Sequence, residues 1–310
     1  MGATEEAEPW AFAEGEEIEP GLHAWARLGD GRRCETWLAW SVAHWSPVTA
    51  KLPKPAFLGH PRAVASLRRE ADRLDGLAHP GLQRPLARRL DAARPHLLFE
   101  YVEGPTLGDL VDDAGPLSPI DTVLVGMQIA GALHYLHGCG LAHLDLKPGN
   151  VVLREGRPVV IDLELCRELG RPAPYGRARG TVDYMAPEQC RREPTAASMD
   201  LFALGVVLYE VVTGEPAYEA GRAEDGHVRP AQLAGHGRPA QLAARRPRAR
   251  EVHSGVPVEL DVLLWRLLDP DPTRRPPTAA ALLGALAALL PPGDEGVWPG
   301  WATALLPPRG

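Results

Sequence analysis

The sequence predicts an α+β chain with its strands first and its long helices later. Three observations lead there. Short apolar runs of strand character crowd the first hundred or so residues, interrupted by one helical stripe. Apolar stripes of helical length dominate beyond Ser118. Between two of those stripes lies the octet His143-Leu144-Asp145-Leu146-Lys147-Pro148-Gly149-Asn150, kept out of helix by Pro148 and Gly149.

In chain order, Leu22–Leu28, Glu35–Trp40 and Val48–Leu52 read as strands. Pro61 opens a helix whose Val64, Leu67, Ala71, Leu74 and Leu77 form an apolar stripe, with Glu70 beside it. Strands around Leu86–Leu90 and His96–Phe99 complete a five-stranded sheet with one helix. Ser118 is a helix N-cap with Pro119 at the first helical position. Ile120, Val123, Leu124, Met127, Ala130, Leu133 and Leu136 then mark one buried face. Leu201–Val212 is apolar nearly all round, as a buried central helix would be, and Val258–Leu268 and Thr278–Leu290 supply two closing helices.

The formal net charge of −7 is local. Glu5, Glu6, Glu8, Glu14, Glu16, Glu17 and Glu19 account for all of it, so residues 1–20 read as an acidic mobile arm in which Trp10 and Phe12 stand out. The near-neutral remainder gives no field for nucleic acid. Cys34, Cys139, Cys166 and Cys190 are too scattered for a zinc site or a disulfide framework, which points to a reducing, cytoplasmic compartment. The acidic N-terminus is no signal peptide, and no apolar run is long enough to span a bilayer. Residues 219–255 hold seven arginines and the hexapeptide Arg-Pro-Ala-Gln-Leu-Ala twice, at 229–234 and 238–243; they read as a variable basic insert on the surface. Residues 291–310 form a tail with Trp298 and Trp301 among prolines.

The octet places a carboxylate, an ammonium and a carboxamide within a few residues. Val151-Val152-Leu153, a turn, and Val159-Val160-Ile161 follow, ending in Asp162. Phosphoryl transfer needs such groups: a carboxylate for a hydroxyl proton, a cation for the moving phosphate, and oxygen ligands for hard metal ions. The octet resembles the catalytic loop H-R-D-L-x-x-x-N of eukaryotic-type serine/threonine protein kinases, with Leu144 in place of Arg. The family's other elements follow in order: Gly29 and Gly31, Lys51, Glu70, Asp162-Leu163-Glu164, Gly180 through Glu188, Asp200 through Gly205, and Arg275-Pro276. The likeness covers residues 22–290 and implies a two-lobed protein kinase-like fold: a sheet lobe with its hinge over 21–102 and a mainly helical lobe over 103–290.

The resemblance implies roles. Asp145 is the catalytic base, and Lys147 neutralises the migrating phosphoryl group and marks a Ser/Thr rather than a Tyr kinase. Thr181 bonds both. Lys51, aligned by Glu70, holds the α- and β-phosphates of ATP. Asn150 and Asp162 ligate Mg2+, with Mn2+ as the alternative ion. Leu28, Gly29, Gly31 and Thr36 line the nucleotide, and the hinge holds adenine through the Glu100 carbonyl and the Val102 amide. Glu188 and Arg275 form a structural ion pair. Cys34 stands at the third glycine position, and Glu164 stands where glycine is expected beside Asp162.

Two expectations about regulation and rivals complete the reading. Leu144 removes the arginine that binds a phosphorylated activation segment, and only Tyr175, Thr181 and Tyr184 carry hydroxyls between Asp162 and Glu188, so activity independent of such phosphorylation is expected. The partners are protein substrates bearing Ser or Thr, with neither nucleic acid nor membrane, and residues 219–255 or either tail as docking segments. A pseudokinase scaffold is the rival reading, resting on Cys34 and Glu164; a small-molecule kinase is a third, opposed by the Thr181–Glu188 segment.

Overall fold

The computed structural model describes residues 8–31, 33–173, 180–218, 240–242 and 246–291. The chain divides into two compact units, 1–102 and 103–310.

The first unit is an antiparallel sheet with one long helix. Its strands are β1 (Glu17–Glu19), β2 (Leu22–Asp30), β3 (Cys34–Ser41), β4 (Ser46–Pro53), β5 (Pro85–Arg89) and β6 (His96–Glu100), in the order β1-β2-β3-β4-β6-β5. Helix α1 (Pro61–Leu74) starts at the expected proline, and Leu77 falls just beyond its end. Strand β3 alternates without a break: Glu35, Trp37, Ala39 and Ser41 are buried, and the residues between them are half-buried. The period-two pattern therefore separates two faces, one buried and one half-buried.

The segment expected to be a mobile arm packs against the sheet. That expectation is corrected for residues 8–19, while residues 1–7 lie outside the described residues. Phe12 and Ile18 are buried in a core with Leu22, Ala24, Trp37, Ala39, Val48, Ala50, Leu52 and Leu98. Glu17–Glu19 pairs with β2, making six strands rather than five. The glutamates dominate the composition of this segment, but Trp10, Phe12 and Ile18 decide its fate, because burying such side chains is worth about 1.5–3 kcal/mol each.

The second unit is mainly helical: α2 (Leu107–Ala114), α3 (Pro119–Gly138), the short α4 (Pro187–Cys190), α5 (Ala197–Thr213), α6 (Ala249–Val252), α7 (Val258–Leu267) and α8 (Ala279–Ala287). Ser118 caps α3 by accepting from the Asp121 amide, with Pro119 at the first turn. Of the predicted stripe on α3, Val123, Met127, Ala130, Leu133 and Leu136 are buried, whereas Ile120 is exposed. Helix α5 is buried nearly all round, and α3 packs against both α5 and α8. Strands β7 (Leu141–Ala142), β8 (Val151–Arg154), β9 (Arg157–Val160) and β10 (Arg167–Glu168) bracket the octet; β8 and β9 form the predicted hairpin.

The described part of the basic stretch is no loose excursion. Arg246 donates to the carbonyls of Trp265 and Leu268, and Arg248 pairs with Asp261 at 3.0 Å, both against α7. The first Arg-Pro-Ala-Gln-Leu-Ala copy, half of the second, and the tail tryptophans lie outside the described residues. Among the described residues, no helix is long and apolar enough to cross a membrane.

Candidate active site

In the first unit the register decides which predicted residues share a row. Gly29 pairs with Thr36, and Thr36 pairs with Lys51, so three predicted nucleotide contacts lie side by side across β2, β3 and β4. Directly opposed residues present side chains to one face. Lys51 is buried and donates to both oxygens of Glu70, at 2.8 and 3.0 Å. Helix α1 carries that carboxylate, itself buried, opposite the strand. Leu28, one residue before Gly29, is an exposed apolar side chain.

The two glycines differ. A Cβ on Gly31 would lie 2.7 Å from the Cys34 carbonyl oxygen, so the hairpin itself demands glycine there. A Cβ on Gly29 would meet only ordinary contacts with Thr36, so the described neighbours do not require glycine there. Cys34 opens β3 in regular pairing with Pro53. The loop base is tied by Lys54, whose amide donates to the Arg33 carbonyl at 2.9 Å and whose buried ammonium pairs with Asp30. That ammonium holds the Asp30 carboxyl below the usual aspartate range. At the end of the unit the Glu100 carbonyl accepts from Gln83 Nε2 at 3.0 Å, occupying one of its two lone pairs, and Val102 is buried.

In the second unit the octet folds around Asp145. Its Oδ1 accepts from the Thr181 amide at 2.7 Å and from the Thr181 hydroxyl at 3.0 Å. Lys147 Nζ donates to that hydroxyl at 3.0 Å and stands 3.7 Å from Asp145 Oδ2. A carboxylate, an ammonium and a hydroxyl thus close a triangle. Asn150 Nδ2 donates to the Asp145 carbonyl at 2.9 Å. The Asp145 amide donates to His143 Nδ1 at 3.2 Å, which leaves Nε2–H to donate to the Ile161 carbonyl.

The loop is strained at Leu144, a non-glycine residue with φ of +69°. Both its main-chain groups are engaged: its amide donates to Asp200 Oδ1 at 2.8 Å, and its carbonyl accepts from Gln189 Nε2 at 2.8 Å. Gly180, at φ +123°, passes so close that a Cβ would lie 2.9 Å from the Leu144 oxygen. Asp200 is fully buried on α5 and also accepts from the His143 amide and from His137 Nε2, each at 2.8 Å. Burial alone would raise its carboxyl; the hydrogen bond and charge of His137, with His143 and the Leu144 amide, outweigh it and hold the group below the usual aspartate value.

Asp162 adopts φ of +59°, a conformation aspartate tolerates better than most residues, and its carboxylate is exposed. The Ile161 amide bonds the Asn150 carbonyl, setting the two predicted metal ligands side by side in the chain trace. The donor chemistry fits a hard divalent ion. With its NH2 committed to Asp145, Asn150 offers only its amide oxygen, and Asp162 offers a carboxylate, the oxygen donors magnesium takes alongside phosphate and water. Glu164 does not lie in the left-handed region, so its Cβ costs no backbone strain.

Residues 23–285 match the protein kinase domain family. The chain belongs to that family. It is 31% identical over 267 residues to the serine/threonine-protein kinase PknB of Mycobacterium tuberculosis, covering 82% of this chain and 40% of that protein. It is 29% identical over 263 residues to PknB of Mycobacterium leprae, with the same two shares. It is 31% identical over 238 residues to the serine/threonine-protein kinase PkaA of Streptomyces coelicolor, covering 74% and 40%. The chain thus spans about two fifths of the length of these relatives.

Within this kinase domain, sequence reasoning named the groups expected to react and missed several that hold them. Gln189 bonds the strained Leu144 and His137 bonds Asp200, yet each reads as an ordinary polar residue in a helix; Asp200, named only as the head of a motif, takes the amides of His143 and Leu144. Tyr184 donates to Glu210 Oε2 at 2.7 Å, a bond that fastens the segment after Thr181 to α5; burial pushes the Glu210 carboxyl up. Lys54 carried a usable signal, since the chain has only three lysines and the other two were already assigned.

Proposed function

We propose that this chain is a serine/threonine protein kinase transferring the γ-phosphoryl group of ATP, with Mg2+ or alternatively Mn2+, to protein hydroxyls. The observation that carries this reading is the triangle of Asp145, Lys147 and Thr181. Metal-bound ATP supplies the phosphoryl group and the metal charge that offsets its oxygens. Asp145 orients the incoming hydroxyl and takes its proton, a contribution of about 10²–10⁴-fold in rate. Lys147 offsets charge on the transferring group, Asn150 and Asp162 are the metal ligands, and Lys51, aligned by Glu70, holds the α- and β-phosphates. Leu28, Gly29, Gly31 and Thr36, with Glu100 and Val102, line the nucleotide.

The reading includes activity without activation-segment phosphorylation. Leu144 is held through its main chain by Asp200 and Gln189, and its side chain has no charge with which to receive a phosphate. Tyr175 lies outside the described residues. Protein substrates bearing Ser or Thr and a cytoplasmic location belong to the same proposal. The test is transfer from labelled ATP to a generic basic protein, followed by phosphoamino-acid analysis. Label on Ser or Thr that disappears in D145N supports the kinase; equal label with both proteins supports the scaffold instead.

A further inference from the structure

We infer that residues 10–19 are a strap that positions the base of the glycine loop, with Trp10 as a positioning residue for nucleotide binding; this rests on the kinase reading. A segment that only covered apolar surface would need no polar attachment at a particular strand end. This one makes two. The Trp10 amide donates to both oxygens of Glu35, at 3.0 and 3.2 Å. The Trp10 indole Nε1 donates to the Pro53 carbonyl at 2.9 Å. Glu35 is the residue after Cys34, at the end of β3 that leaves the loop, and Pro53 pairs with Cys34 two residues beyond Lys51.

The attachment point is costly without its partner. Glu35 is 1% exposed, and burial pushes its carboxyl up more than the Trp37 side chain and the Trp10 amide pull it down. A buried carboxylate that lost this donor would neutralise or turn outward, and the strand end beside Thr36 would move with it. Across the same loop base, Lys54 ties Asp30 and Arg33. The loop is therefore gripped by Lys54 from within the sheet and by Trp10 from the strap.

The strap has its own lock. Trp10 stacks on Phe12 with ring centroids 5.1 Å apart, and Phe12 meets Trp37 edge-on at 5.3 Å. The Arg94 guanidinium lies 4.8 Å from the Trp10 ring centre and 5.2 Å from that of Phe12, and donates to the carbonyls of Glu17 and Ile18. Ile18 sits in the same strap but touches the sheet core rather than the loop base, which makes it the control.

The experiment compares W10A, W10F and I18A in the full chain, measuring ATP affinity by calorimetry, KM for ATP against kcat, and Tm. W10A is expected to weaken ATP binding and raise KM about tenfold, with kcat within about twofold. Both variants keep the main-chain amide; W10F also keeps the stack, loses only the Pro53 bond, and is expected to weaken ATP about threefold, so the test survives if W10A does not fold. I18A should lower Tm and leave ATP affinity within about twofold. Unchanged ATP affinity in W10A and W10F, or losses that merely follow Tm across all three variants, would overturn the inference. Wild-type protein that binds no ATP would instead overturn the kinase reading and the inference together.

Discussion

Each of the two units holds a buried ion pair, and the two pairs are built differently. In the helical unit Arg275 is fully enclosed: its guanidinium donates to both oxygens of Glu188, to the Ser198 carbonyl and, through Nε, to the Asp269 carbonyl, and it lies over the Phe202 ring. In the sheet unit Lys51 meets Glu70 at similar distances, but with a compact ammonium whose donors rotate. A planar fork spread over carbonyls from several segments joins those segments. A point charge on a strand, next to Thr36 and Gly29 in register, suits a phosphate. Burial and distance do not separate a structural pair from a functional one; the shape of the cation and the strand row it stands in do.

Breaking the pairs should expose that difference. Arg275→Ala leaves Glu188 charged and buried and takes a donor from two carbonyls, so stability should fall by about 3–5 kcal/mol in denaturant titration. K51M/E70M removes both charges together, a replacement that is often neutral for folding. Its Tm should stay near that of the wild type while phosphoryl transfer drops by about 10²–10³-fold in a single-turnover assay. A K51M/E70M protein that unfolds as readily as Arg275→Ala would make Lys51–Glu70 a structural pair.

The next contrast lies within the helical unit. Asp200→Asn should cost about 1.5–3 kcal/mol, since it weakens three charge-assisted bonds to the catalytic loop and to His137. The sign with pH follows from a lowered carboxyl. The stabilisation is complete above the unfolded value of about 4 and is lost as pH falls through the still lower folded value. Wild type and D200N should therefore converge in stability on acidification below about pH 4 and stay apart at neutral pH. The smallest effect is expected from Leu144→Arg, which restores the guanidinium of the family motif. Its kcat, and that of phosphatase-treated wild type, should remain within about twofold of untreated protein; a large loss on phosphatase treatment would contradict independence from phosphorylation.

Legibility followed the range of the interactions. Strands β2 to β6, helix α1 and the α3 cap were readable because period, proline and cap residues act locally. The octet was readable because its chemistry is compressed into a few residues. The strap was not, because seven glutamates hide the three apolar residues that anchor it, and its partners Glu35, Pro53 and Arg94 are distant in sequence. The strain at Leu144 was invisible for a similar reason: Gln189 and Asp200 relieve it from 45 and 56 residues away. Glu164 taught the reverse lesson, since a side chain in place of a motif glycine strains the backbone only where φ is positive, and here it is not.

The central claim is that Asp145, fixed by Thr181 and Asn150, takes the proton of a substrate hydroxyl. It is tested most directly by single-turnover transfer with D145N under saturating ATP, with ATP affinity measured on the same protein. A fall of about 10²–10⁴-fold in the transfer rate with unchanged ATP affinity is the predicted result. A D145N protein that transfers phosphate at the wild-type rate would contradict it.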